Sequence, residues 1–436
     1  MSLRNQLFNK ASVAALQVLR LADVYISKSN MGRPLDVARR DPHPGYAYLR
    51  AQGPVVRSYA SRGWLIVHFE AVKEASRDPR FGNDMRKNRF LSQVLRAAAD
   101  GKTVPVLDSP SMIVLDPPDH TRIRKLASQG FTNRYVQTLT PKIERIIDEC
   151  LAGLDGEGEV DIVQRLANPL PAIVIAEMLG LPESDRLQFR AWAERMLGIS
   201  MIGEPDRIAD ATLANEELTN YFREVVDHKR TQPDDGIISQ LIVAEEEGDR
   251  LTADEMYANC TLLLNAGHVT TSSLIGTGLW LLLQHPEQLA LLRENRGLMS
   301  NAIDEMLRFE APVQFSPRFA LEDMEFHGKR IKKNQFVMLL IAAANRDPVA
   351  NPNPDRFDIT RDTINHVAFG HGIHLCLGLA LAKLEAKLAF NAILDRFDQL
   401  ELIDTDPPWA PNALVRGVDR LRISYRSAAA SSRQSA

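Results

Sequence analysis

The sequence predicts a mainly α protein with small β-sheets, and three observations carry that expectation. Apolar residues recur at helical spacing through most of the stretch from Pro118 to Glu310. Within it, a mostly apolar run from Thr252 to Gln284 would make a helix on the order of 50 Å long, enough to cross a domain. Strand-like patterns are short and lie on either side of this helical region.

In chain order, Leu7, Phe8, Val13, Leu16, Leu19 and Leu21 alternate with Arg4, Lys10 and Arg20 in an N-terminal extension, residues 1–33. The extension reads as a helix packed on its own domain or a partly ordered tail, with an amphipathic contact to a membrane or partner as the alternative. Strands are expected at Pro54 to Ser58 and Trp64 to Val67. Pro117 and Pro118 suit the start of a helix, where a missing N–H costs nothing. Thr252 and Glu255 form a capping box that opens the long helix, and Pro286 stops it. Short strands follow around Phe315 to Ala320 and Phe336 to Ile341, then a helix from Leu379 to Phe397 with Leu381, Leu384, Leu388 and Ala392 on its apolar face. Residues 34–425 are expected to form one domain and residues 426–436 a disordered tail.

Composition bounds the function. Hydrophobic residues make up 45% of the 436, as in ordinary globular proteins, and a net charge of −4 gives no argument for nucleic acid. No stretch reaches the roughly 18 uninterrupted apolar residues of a membrane span. The three cysteines, Cys150, Cys260 and Cys376, have no disulfide or zinc spacing, which suits a reducing cytoplasm.

Cys376 lies in FGHGIHLCLG, Phe369 to Gly378, just before the last helix. A thiolate needs compensating positive potential, which a helix start supplies. Gly370, Gly372 and Gly378 permit backbone angles and close approaches that a side chain would block, so a broad, flat cofactor can lie against the loop. A soft ligand with room beside it suggests haem iron, although a lone cysteine is more often a small buried hydrophobe.

The flanking residues decide between these. Phe369, Gly372, His374, Cys376 and Gly378 match every fixed position of the haem-ligand loop of the cytochrome P450 family, which this stretch resembles. Glu305 and Arg308 match the family's Glu-x-x-Arg motif; alone, they would be an ordinary helical ion pair. The resemblance implies a buried triad completed by Arg356 from the following meander, with Asn345 to Pro348 matching the stretch before it. Asp116 to Leu126 resembles the family's third helix. By this resemblance, His120 and Arg124 from that helix, Arg318 from a later strand and His374 from the loop meet the carboxylates of haem b (iron protoporphyrin IX), while Cys376 ligates the iron. The implied fold is a triangular prism with the haem between the long central helix and the cysteine-loop helix.

Ala266 to Thr271, AGHVTT, resembles the family's oxygen-handling segment. Ala266 and Gly267 would leave space for dioxygen, and Thr270, with Thr271 beside it, would donate to it; His268 reads as packing or surface. The family's acid position holds Val269, which cannot carry a proton, so protons must take another route. The implied activity is a monooxygenation of an apolar small molecule, a hydroxylation or epoxidation. Electrons would come from a ferredoxin and its reductase, docking by Lys125, Arg134, Lys383 and Lys387. The expected pocket residues are Phe90, Leu91, Met112, Leu263, Ala266, Val313, Phe315 and Leu414. Two other functions fit the loop: a haem-thiolate enzyme that uses peroxide or reduces another oxidant, and a non-enzymatic haem sensor.

Overall fold

The computed structural model describes residues 41–428, apart from 60–62, 89–91, 94–95, 97–103, 109–110, 186–187, 190, 193–194, 196–204, 247–250 and 411. The N-terminal extension, Phe90, Leu91 and most of the expected tail lie outside the described residues.

The principal helices are α1 (His43–Arg50), α2 (Phe69–Arg77), α3 (Asp119–Ala127), α4 (Thr140–Leu151), α5 (Pro169–Leu179), α6 (Pro205–Thr231), α7 (Ala253–Gln284), α8 (Met299–Phe309) and α9 (Leu379–Arg396). The strands are β1 (Val55–Ser58), β2 (Gly63–Ile66), β3 (Phe81–Gly82), β4 (Glu157–Asp161), β5 (Ser316–Ala320), β6 (Met324–Phe326), β7 (Lys329–Ile331), β8 (Phe336–Leu339), β9 (Phe397–Leu402) and β10 (Arg422–Ser427). One sheet runs β1-β2-β8-β5-β3, with only the β2/β8 pair parallel; a second runs β4-β10-β9 and is antiparallel.

The long central helix is α7. Its capping box forms, with the Thr252 hydroxyl accepting from the Glu255 N–H and the Glu255 carboxylate from the Thr252 N–H. It crosses the helical core and packs against α5, α6, α8 and α9. Gly278 makes one of these approaches possible, because a Cβ there would stand 2.7 Å from both the Met306 sulfur and the Phe390 ring. A second apolar core lies under the larger sheet, and Ala368, just before the cysteine loop, packs against both cores.

The second sheet is not evident in the sequence pattern. Glu157–Asp161 is polar and half exposed, and β9 begins at Phe397 directly where α9 ends, so the helical spacing runs into it. Strand β10 reaches Ser427, past the expected start of the tail.

The meander after β8 is fastened to α8 by Glu305, whose carboxylate is fully buried with the Arg308 guanidinium at 2.6 and 2.7 Å. The third arginine is not Arg356. That side chain is exposed and reaches Asp358, whereas Arg361 donates to Glu305 at 3.1 Å. Arg356 takes part through its backbone carbonyl, which accepts from both Arg308 and Arg361. The meander turns its backbone inward at 352–356, so the guanidinium that returns to the acid comes from the residue after the turn.

Removing one partner of a buried ion pair leaves an uncompensated charge. Arg361→Leu is therefore expected to lower unfolding free energy by about 3 kcal/mol, and Arg356→Ala by no more than about 0.5 kcal/mol, as read from urea midpoints.

Candidate active site

The cysteine loop is seated by its glycines. Gly370 and Gly372 have φ of 73° and 72°, and a Cβ on Gly372 would lie 2.3 Å from the Ser76 carbonyl oxygen at the end of α2. The Cys376 N–H donates to the Phe369 carbonyl at 2.8 Å, closing the loop just before α9. A strut ties loop to helices: Asp304 of α8 accepts from His366 Nε2 at 3.1 Å and from Lys383 of α9 at 2.5 Å.

Cys376 is accessible, while Cys260 is buried with its thiol pushed up to about 12 and Cys150 is half-buried. Burial also raises the Cys376 thiol, against a hydrogen bond from the Gly378 N–H and the Arg124 charge, which lower it. A side chain both accessible and poorly solvated lines an interior cleft. Ala266 is likewise exposed in the middle of the buried helix α7.

Four cationic or donor side chains converge beside the loop. His120 is buried at 2% exposure, and neither ring nitrogen has a hydrogen-bond partner. Its ring lies 4.2 Å from that of His374. Burial, then the Arg318, His120 and Arg124 charges, push His374 down to about 3. Arg318 is 5% exposed and lowered by burial to about 10, and Arg124 donates to the Leu375 carbonyl. The nearby Asp116 is already held by Lys87 at 2.6 Å and the Asn83 N–H at 2.7 Å. A buried arginine, a second guanidinium beside it and a histidine with two orphaned nitrogens describe a site built for an anion. The residues therefore fit a flat group with carboxylates at one edge and a metal facing a thiolate. Gly378 adds room, since a Cβ there would meet no protein atom.

On α7, Thr270 is half-buried and its hydroxyl donates back to the Ala266 carbonyl at 2.7 Å. Ser273 does the same to Val269 at 2.9 Å. Thr271 is 3% exposed and packed away from the open face. Gly267 differs from its expected role: a Cβ there would stand 3.3 Å from Ile175, so its smallness lets α5 pack on α7, and Ala266 alone of the two opens to the cleft. His268 is buried, as a packing residue would be.

Of the expected pocket residues, Val313, Phe315 and Leu414 come together. Val313 bridges Val415, and the Gln314 N–H donates to the Leu414 carbonyl at 2.9 Å. Met112 and Leu263 are 6% exposed in the helical core. Sequence reasoning missed Arg361, His366 and Asn259, which hold backbone, and Asp304, which holds the His366 and Lys383 side chains; Arg361 differed from Arg356 by no local signal.

A vitamin D(3) 25-hydroxylase from Pseudonocardia autotrophica is 42% identical over 88% of this chain and 94% of its own length. The chain belongs to the cytochrome P450 family. The family model for cytochrome P450 matches residues 206–421. The 6-deoxyerythronolide B hydroxylase of Saccharopolyspora erythraea is 41% identical over 87% of this chain and 94% of that protein. Among solved structures, P450BioI in complex with hexadec-9Z-enoic acid ligated acyl carrier protein superposes with a TM-score of 0.82 at 34% identity, covering 89% of this chain and 99% of that one. The protein is a cytochrome P450 monooxygenase, a family that carries a haem-thiolate cofactor and needs dioxygen and a redox partner. Among the described residues no helix is long and apolar enough to cross a membrane.

Gly372→Ala should force this P450 loop off Ser76 and cost more than about 1 kcal/mol, with a weaker thiolate signature in the carbon monoxide spectrum. Gly378→Ala should leave the thermal midpoint of the haem-free chain unchanged.

Proposed function

We propose that this P450 holds haem b through Cys376, with His120, Arg124, Arg318 and His374 on the two carboxylates, and oxidises an apolar small molecule. The observation that carries the reading is the accessible thiol beside the buried Arg318 guanidinium and a buried His120 with both ring nitrogens unpartnered. Bound there, the haem supplies dioxygen activation, in which two electrons and two protons release one oxygen atom as water and insert the other into substrate.

The chain's own residues do the rest. The Gly378 N–H and the start of α9 stabilise the Cys376 thiolate. Thr270 can turn its hydroxyl from the Ala266 carbonyl toward the cleft, and its lone pairs accept meanwhile. Phe315, Val313 and Leu414 exclude water and offer no charge to grip a phosphate or carboxylate. Relatives named for vitamin D(3) and 6-deoxyerythronolide B, and a solved relative from Bacillus megaterium in complex with testosterone, support an apolar substrate. Phe90, Leu91 and Thr271 stay in the proposal from resemblance alone. We place the whole activity in residues 34–425.

A ferredoxin, reduced by its own reductase, is the proposed electron donor. Lys125, Arg134 and Lys387 are exposed and can face its acidic surface. Lys383 does not belong with them, because Asp304 engages its ammonium and fixes it between two helices. Val269 favours one second reading, a haem-thiolate enzyme driven by peroxide, in which no proton need reach dioxygen.

The reduced protein with carbon monoxide should show a strongly red-shifted Soret band that Cys376→Ser abolishes; a band of histidine or thiol type in the folded wild type would overturn the assignment. Val269→Glu should raise product formed per electron consumed with ferredoxin. Unchanged coupling, with peroxide-driven turnover exceeding ferredoxin-driven turnover, would select the peroxide reading.

A further inference from the structure

One turn of α7 ties together two segments distant in sequence, helix α3 and the short turn that begins at Met112. Glu255 receives the Arg122 guanidinium at 2.5 and 3.2 Å, and Arg122 sits on α3 between His120 and Arg124. Four residues on, Asn259 is 1% exposed and both of its amide atoms are engaged. Its Nδ2 donates to the Glu255 carbonyl at 2.7 Å, and its Oδ1 accepts the Met112 backbone N–H at 3.0 Å. That second bond reaches across 147 residues of chain to the head of the short turn Met112–Val114. The same turn is held from the other side by Asn83, whose amide donates to the Ile113 carbonyl at 3.0 Å.

Helix geometry gives this bond its meaning. Asn259 lies about two turns before Ala266 and on nearly the same face of α7, so Met112 is pinned roughly 10 Å along the helix from the open position at Ala266. The buried amide cannot slide, since an unmet N–H or carbonyl there would be costly.

We infer that Asn259 is a specificity-determining positioning residue: by holding the Met112 backbone it sets where the substrate pocket ends along α7. This rests on the haem-thiolate reading of the site. Asn259 touches neither substrate nor cofactor and acts through Met112. A longer apolar molecule than the pinned wall admits would need this bond to break.

The test uses the full-length, haem-loaded protein and two iron-binding probes, imidazole and 1-dodecylimidazole, each titrated by its Soret shift. Asn259→Leu keeps the branching and heavy-atom count of the side chain and removes both bonds, and is expected to improve binding of the long probe relative to the short one by about tenfold. Asn259→Asp keeps the oxygen that accepts the Met112 N–H and should keep the wild-type ratio within about twofold. Met112→Ala shortens the wall without touching the tether, should shift the ratio in the same direction, and should not add to Asn259→Leu in the double variant. A wild-type ratio in Asn259→Leu or in Met112→Ala would overturn the inference, as would full additivity. A histidine- or thiol-type carbon monoxide band in the same wild-type preparation would instead refute the haem-thiolate site, and this inference with it.

Discussion

A single buried carboxylate, that of Glu305, organises the half of the molecule that presents the cysteine. It binds Arg308 on its own helix, takes the Arg361 guanidinium from the meander and accepts the Asp358 N–H at 2.9 Å. A charge so far from water is tolerable only when every lone pair is met. Meeting them forces the meander to fold back on α8, and Arg308 extends the demand by gripping the Pro354 and Arg356 carbonyls. Asn345, itself buried, continues the chain of bonds to the Leu307 carbonyl and the Val367 N–H, which leads into the cysteine loop. The loop is thus positioned by backbone capture together with the packing of Phe369 and Leu377 on the helical core.

The opposite wall of the cleft obeys a different constraint. Helix α7 is buried on nearly all sides, yet Ala266 is exposed and the threonine and serine one turn on bond back to the helix. Such back-bonding loosens and bends a helix locally. An accessible small residue in the middle of a buried helix and an accessible cysteine at the start of another are the two exposed points that the haem-thiolate reading places on either side of a flat group. The Arg318 and Arg124 guanidinium groups at its edge, the first of them buried, supply the charge that such a group must answer.

Motif residues and their partners were not equally legible. Cys376, Glu305 and Arg308 are marked by spacing on one loop or one helix face, so their positions could be read from short windows. Arg356 and Arg361 stand in the same arginine-containing meander, and the choice between them depends on which way an irregular backbone turns. Gly267 reads as space for a ligand, but the structure spends it on Ile175, because its neighbour across the core comes from a helix far away in sequence. Lys383 reads as a surface cation for the same reason: nothing local announces Asp304.

The sequence by itself determined the family, the cysteine loop that holds Cys376, the long capped helix and the absence of an acid at Val269, since each is carried by adjacent residues whose chemistry is local. Only the tertiary structure decided that His120, Arg124, Arg318 and His374 meet, that Arg361 closes the triad and that Asn259 holds Met112. These are contacts between segments from 56 to 251 residues apart, and burial of polar groups, which makes each one obligatory, exists only once the chain has folded around them.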